Sequence, residues 1–364
     1  MQLSSATNPA RALHRAAFHA GVAVRPYLRS AAGFALRSRS LVRALNVVEA
    51  RMGQVVLYGK RDLRVSDVAE FLFHDVEFCD AFQWRCRVGP GAFMVPVDPS
   101  FPHPRPRNDP WGPATYWRRV QNRRIRAFYE RFLRARPVGT FVDVGANWGM
   151  HTYPFAAVRY VCIAFEPQSP CGDFIRRVSK LNGFTNVEVV RAAVGSASLA
   201  EVPFYESEVE AFSSIDERHV AAFGWPWRRT TIACVTLDAY CQAHGVAPTV
   251  IKIDTEGYEW EVVRGAARVL AMFKPALIVE VSAALENQQR LWDVVAELGY
   301  SCYAISRLIG GRYPKEPFRP IRSLVEFEEA AKDHSETATF HDGEYESEAD
   351  FIFLQPDSDV LAGR

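Results

Sequence analysis

From residue 140 onward the chain alternates between two hydrophobic patterns. Short apolar runs fall at 140–144, 160–165, 187–190, 249–253, 276–281, 300–305 and 350–354, and read as strands buried on both faces. Between several of them apolar residues recur at helical spacing, over 172–182, 259–273 and 284–298. Strands separated by helices imply parallel pairing through right-handed crossovers, hence a doubly wound α/β sheet. Residues 201–236 break the alternation and read as an inserted hairpin with a loop. The acidic stretch 326–348 reads as a solvated excursion before the last strand.

The first third has a different texture. Residues 54–57, 82–88 and 92–97 carry β-branched and aromatic side chains between Gly and Pro, the pattern of short strands. Residues 99–113 are loaded with proline and turn signals and read as a linker. In 116–136, Val120, Ile125, Phe128, Phe132 and Leu133 lie at helical spacing among arginines, an amphipathic helix with a basic outer face. The expected organisation is a basic tail or helix over 1–52, a β-rich accessory region and linker over 53–113, and one α/β domain over 114–356.

Composition changes this picture in few places. At 364 residues with 48% hydrophobic content the chain can bury a sizeable core. A net charge of +1 provides no overall field for nucleic acid. The charge is uneven, however: no Asp or Glu precedes Glu49, whereas Arg11, Arg15, Arg25, Arg29, Arg37, Arg39 and Arg43 do. That segment is open to three readings, a tail, a helix packed on the core, or a helix on a membrane surface; an organelle-targeting peptide has the same composition. The seven cysteines form no CxxC pair and read as idle thiols in a reducing compartment. With no run of about 18 apolar residues and no secretory signal pattern, a cytoplasmic location is expected.

Candidate chemistry sits at the ends of the strands. The first ends in Asp143-Val144-Gly145-Ala146-Asn147-Trp148-Gly149, a glycine turn opening a helix at the edge where nucleotide-like ligands bind. Asn147 stands where a dinucleotide fingerprint needs its second glycine, which speaks against an NAD-type site. The next strand ends in Phe165-Glu166-Pro167, and Glu166 follows Gly145 at about the 20-residue spacing of an acid that holds ribose hydroxyls. Further on, Ile253-Asp254-Thr255-Glu256-Gly257 and Glu280 end two more strands. These carboxylates suit acceptor hydroxyls, a divalent cation, with Asp254 and Glu280 as candidate ligands, or a general base. Glu259 reads as helix N-terminal charge. His151 has a suitable pKa for proton transfer, but its place in a helix's first turn more often means capping or packing. His219 and the other histidines read as surface or loop residues.

The runs 143–149, Phe165-Glu166-Pro167, Ala193-Val194-Gly195, Thr236-Leu237-Asp238, Lys252-Ile253-Asp254-Thr255-Glu256-Gly257 and Arg264-Gly265-Ala266, in this order, resemble the FkbM-type methyltransferases. The resemblance covers about 116–354. It implies a Rossmann-like class I S-adenosylmethionine fold, with seven strands of which the last is antiparallel, and O-methylation of a sugar, glycan or polyketide hydroxyl. It also implies that Asp143, Gly145, Asn147 and Gly149 line the methionine end of the cofactor, that Glu166 holds the ribose, and that Ala193 sits near adenine. Asp254, Glu256 and His151 are then the catalytic candidates, with Asp254 first as base. Trp148 and His151 depart from the usual pattern, at positions where they would affect acceptor access. The alternatives are a non-catalytic domain that keeps the fold, or a nicotinamide-dinucleotide oxidoreductase.

Overall fold

The computed structural model describes residues 76–80, 83–88, 91–96, 123–208, 212–222, 224–281, 285–305, 318–336 and 350–361. Most of the accessory region, the linker, residues 116–122 and the basic segment before Glu49 lie outside these. The chain divides into two units, Met1–Cys86 and Arg87–Arg364. In the first, β1 (Val76–Asp80) pairs antiparallel with β2 (Gln83–Val88), from Val76 opposite Cys86 to Asp80 opposite Gln83.

The second unit opens with β3 (Gly91–Pro96), whose Phe93 packs its ring on Tyr153 at 5.3 Å. Helix α1 (Arg123–Ala135) follows, burying Ile125, Phe128, Phe132 and Leu133, the stripe its spacing announces. Then come β4 (Thr140–Val144), α2 (Thr152–Ala156), β5 (Val161–Phe165), α3 (Ser169–Asn182) and β6 (Val187–Val190). An insertion carries β7 (Ala193–Val194), β8 (Leu199–Ser207), α4 (Glu217–Ala222) and β9 (Trp227–Val235). The second half holds α5 (Leu237–His244), β10 (Val250–Ile253), α6 (Glu259–Arg264), α7 (Ala267–Phe273) and β11 (Ala276–Glu280). The last elements are α8 (Leu285–Glu297), β12 (Ser301–Ile305), β13 (Phe318–Ile321), α9 (Leu324–Glu336) and β14 (Asp350–Leu354).

Eight strands form the main sheet in the order β13-β12-β14-β11-β10-β4-β5-β6. The fold is the expected Rossmann-like α/β sheet. β4 pairs in parallel with β5 and β10, and β14 enters antiparallel between β11 and β12. The difference from seven strands is β13, antiparallel on β12 at the edge. Its sequence, Phe-Arg-Pro-Ile, has only its two end residues buried, which is too short an apolar signal to read as a strand. The insertion forms its own sheet, β7-β9-β8.

Two further expectations change. The single helix over 259–273 is split at Gly265-Ala266. A Cβ on Gly265 would lie 2.0 Å from the Gly195 carbonyl oxygen, so only glycine lets these two segments meet. The start of the acidic stretch is not solvated excursion: Phe327, Ala330 and Ala331 of α9 are buried, and Phe327 stacks near Phe351 at 4.5 Å. Residues 337–349 lie outside the described set. Among the described residues no helix is long and apolar enough to cross a membrane.

The chain order reverses between β4 and β10, so a crevice opens at their carboxyl ends, where open α/β sheets bind ligands. That edge carries Gly145, Glu166, Asp254 and Glu280.

Candidate functional site

The site is built on two adjacent loops, one after β4 and one after β10. Gly145 adopts φ +79°, and a Cβ there would lie 1.7 Å from the Asp254 carbonyl oxygen. The glycine therefore serves the packing of one loop on the other, in addition to any ligand that lies over the turn. Gly145→Ala should cost at least about 2 kcal/mol from positive φ and overlap together. Urea unfolding measures it, and a loss under about half a kcal/mol would show that the two loops can separate.

Asn147, also left-handed at φ +48°, directs its N–H to Glu166 Oε2 at 2.7 Å, and Gln168 N–H reaches Oε1 at 2.7 Å. The acid at the end of β5 is thus fixed against the turn after β4. Burial pushes Glu166 up to about 7, opposed by these two backbone bonds. Each carboxylate oxygen keeps a second lone pair for a hydroxyl donor. Beside Glu166 a cavity of about 160 Å³ is lined by Gln168, Ser169, Gly172, Asp173, Arg176 and Arg191. A hydroxyl-bearing group next to that cavity fits the donor set. Asp143 lies beneath, its Oδ2 accepting from the Thr152 hydroxyl at 2.5 Å while Oδ1 is buried without a hydrogen-bond partner. Burial pushes its carboxyl up to about 7. Ala193 belongs to β7, where its backbone pairs with Cys234.

After β10 stands a group of carboxylates. Asp254, Glu256 and Glu280 each offer an oxygen within 4.8 Å of the others. Burial would raise Asp254, yet Lys252 beside it and a hydrogen bond from Glu280 bring it below the usual carboxylate range. Glu280 is driven well above that range by burial and by the Asp254 charge. The opposite shifts are those of two close carboxyls of which one resists ionisation while the other is ionised. The charge is balanced by Lys252, 1% exposed, whose Nζ lies 3.3 Å from Asp254 Oδ2 and 3.0 Å from Asp350 Oδ1. The separation would admit a hard cation.

Glu256 is a glutamate held at φ +55°, a conformation that persists only where neighbours enforce it. The neighbours come from the insertion. Ser214 Oγ donates to the Glu256 carbonyl at 2.9 Å, and His219 Nε2 lies 2.9 Å from Glu256 Oε2. Burial pushes Glu256 up to about 7 against the pull of His219. Burial alone would lower His219, but its bond to Glu256 raises it. His219, read as a loop residue from the sequence, is therefore part of the site. No spacing links 219 to 256, and only the docking of α4 on the loop after β10 reveals it.

Other expectations resolve differently. His151 is buried and shares a short hydrogen bond with the Tyr129 hydroxyl. Burial lowers it to about 3, which makes it a poor proton acceptor near neutrality. Trp148 is buried, edge-on to Phe174 at 5.1 Å. Glu259 does act locally: its Oε1 accepts from Thr255 N, Thr255 Oγ1 and Gly257 N at 3.0–3.1 Å, tying the loop it follows. Thr236 caps α5 through Ala239 N, and Asp238 caps α7 through the N–H groups of Arg268 and Val269. These two motif residues hold helices. The cysteines at 162, 171, 234, 241 and 302 are buried and free.

No curated protein matches the chain. Among solved structures, the chain is similar to methyltransferase FkbM from Methylobacillus flagellatus, at 20% identity and TM-score 0.32, over 46% of this chain and 40% of that one. The match thus spans less than half of that protein. The SAM-dependent methyltransferase from Agrobacterium tumefaciens aligns at 9% identity and TM-score 0.35, over 77% of this chain and 72% of that one. Precorrin-6y C5,15-methyltransferase from Geobacter metallireducens aligns at 14% and TM-score 0.31, over 50% and 72%. The family model described as the methyltransferase FkbM domain matches residues 143–302, the stretch that carries the loops of the site.

Proposed function

We propose that this protein transfers the methyl group of S-adenosylmethionine to a hydroxyl of a sugar, glycan or polyketide-type acceptor. The observation that carries the reading is Glu166, clamped by the N–H groups of Asn147 and Gln168 beside an open cavity. Glu166 would take the ribose hydroxyls through its free lone pairs, and the chain near Ala193 would flank the base. S-adenosylmethionine supplies an electrophilic methyl on a sulfonium. The protein's own task is to align the hydroxyl, exclude water and receive a proton. Asp254, held below the usual carboxylate range with Lys252 beside it, would accept the hydroxyl hydrogen bond. Glu256, poised at about 7, matches the requirement for a proton acceptor near neutral pH.

Calorimetric titration at pH 8 with S-adenosylhomocysteine, and separately with NADH, tests the cofactor. S-adenosylhomocysteine should bind and NADH should not. Glu166→Gln keeps the shape but loses the charge, and should weaken binding by about tenfold to a hundredfold, the worth of a charged hydrogen bond. Binding of NADH instead, or none of either, overturns the reading.

A further inference from the structure

One short stretch of the insertion holds Glu256 at two points. Its carbonyl accepts from Ser214 Oγ at 2.9 Å, and its carboxylate Oε2 accepts from His219 Nε2 at 2.9 Å. The two holding groups are fixed relative to each other. Ser214 exchanges both backbone hydrogen bonds with Tyr205 of β8, and its Oγ accepts from the Asp216 N–H at 3.1 Å. The Asp216 carbonyl in turn receives the N–H of Val220, the buried residue next to His219 on α4. The loop after β10 is shaped to receive the imidazole as well. At Gly257, φ +93°, a Cβ would lie 3.1 Å from His219 Nδ1 and 3.4 Å from its Cγ. Any side chain there would press on the ring, so glycine leaves the room in which the imidazole lies.

What this hold opposes is like charge. Asp254 and Glu280 each offer an oxygen within 4.8 Å of one on Glu256, and Glu259 acts on it from α6. The Glu256 side chain is 24% exposed, so water is within its reach. A glutamate with free rotamers beside other carboxyls turns toward water and away from them. A donor fixed on Oε2 keeps it in the crevice. We propose that His219 is a positioning residue for methyl transfer, its Nε2–H holding the Glu256 carboxylate beside Asp254, where it meets the acceptor hydroxyl. In that step the hydroxyl oxygen bonds the methyl carbon and the carbon–sulfur bond breaks, its electron pair staying on sulfur. The hydroxyl proton passes to a Glu256 oxygen. The inference rests on the hydroxyl-methylation reading above, and adds that the insertion sets the geometry of a group borne by the main sheet.

Two measurements on the full chain test it. The first needs no acceptor: with the nine histidines labelled in their ring nitrogens, the His219 resonances are assigned by their loss in His219→Phe. They should move in Glu256→Gln, and unmoved resonances would show that the contact is absent. The second is single-turnover methyl transfer from S-adenosylmethionine to a panel of methyl mannoside, methyl rhamnoside and myo-inositol. His219→Phe keeps a ring against Gly257 and should slow transfer by about tenfold to a hundredfold, the effect of misplacing a reacting group by an ångström. The acceptor concentration for half-maximal rate and S-adenosylhomocysteine affinity should stay within about twofold. His219→Gln, whose amide N–H can replace the Nε2 donor, should restore most of the rate. In a Glu256→Gln background His219→Phe should add no more than about twofold, because the charge it positions is gone. An undiminished rate in His219→Phe, no rescue by glutamine, or the full loss in the Glu256→Gln background overturns the positioning role alone. An unaltered protein that methylates no member of the panel overturns the hydroxyl reading and this inference with it.

Discussion

Lys252→Met is expected to cost about 3–5 kcal/mol of stability, the loss that follows when one member of a buried ion pair is removed. The Lys252 ammonium is the shared counter-charge of Asp350, 2% exposed on its side chain, and Asp254. Methionine fills a similar volume, so the change isolates charge from packing. Without the ammonium, burial dominates at Asp254 and raises its carboxyl in the folded variant above its unfolded value. A raised folded pKa favours the folded state below the unfolded pKa and loses that advantage as pH rises through the folded one. The deficit in Lys252→Met should therefore shrink toward pH 4 and be full by pH 8. Adding Asp350→Asn should recover part of it. Urea unfolding at the two pH values measures these differences. A loss below about 1 kcal/mol at pH 8 would mean that water or another cation already satisfies the carboxylates.

The second large effect is on turnover. Asp254→Asn preserves size and can still bond Glu280, but it removes the fixed negative charge that would hold the acceptor hydroxyl. Turnover should fall by about a hundredfold to ten-thousandfold, the range for losing a positioned acid–base group. S-adenosylhomocysteine affinity should stay near the unaltered value, because Glu166 binds that end through a separate loop. Single-turnover kinetics with a hydroxyl acceptor that the unaltered protein methylates gives the first number, and calorimetry the second. Intact turnover would remove Asp254 from the mechanism. A fall in both quantities would place it in the cofactor site. Lys252 retains its contact with Asp350 in this variant, so folding should survive.

The two substitutions bear on one design. Buried carboxylates lie at the edge of the sheet in greater number than buried cations, and the structure handles them by sharing. Glu280, driven well above the usual range, bonds Asp254; one Lys252 ammonium is shared by Asp254 and Asp350; and His219 faces Glu256. An acidic crevice so arranged stays folded near neutrality and still presents one ionised oxygen and one titrating near 7 to whatever enters.

The sequence by itself determined the main sheet, because each of its central strands is a continuous apolar run between turn signals, and local pattern suffices for that. It also determined which acids lie at the carboxyl edge, since a residue directly after a parallel strand has only that edge to occupy. The helix of 123–135 and the hairpin in the insertion were legible on the same grounds, whereas the antiparallel direction of the last strand was an implication of the family resemblance. Tertiary structure alone decided the rest. His219 joins Glu256 across 37 positions of chain, and Lys252 joins Asp350 across nearly a hundred, distances over which no spacing rule operates. His151 is lowered by burial and by the Lys252 charge, neither of which is written in its own neighbourhood. Gly145, which reads as room for a ligand, is required by the Asp254 carbonyl of the adjacent loop. The sequence named the groups that could do chemistry. Which of them are charged, which are paired and which face the crevice depends on desolvation and on neighbours that only the folded chain brings together.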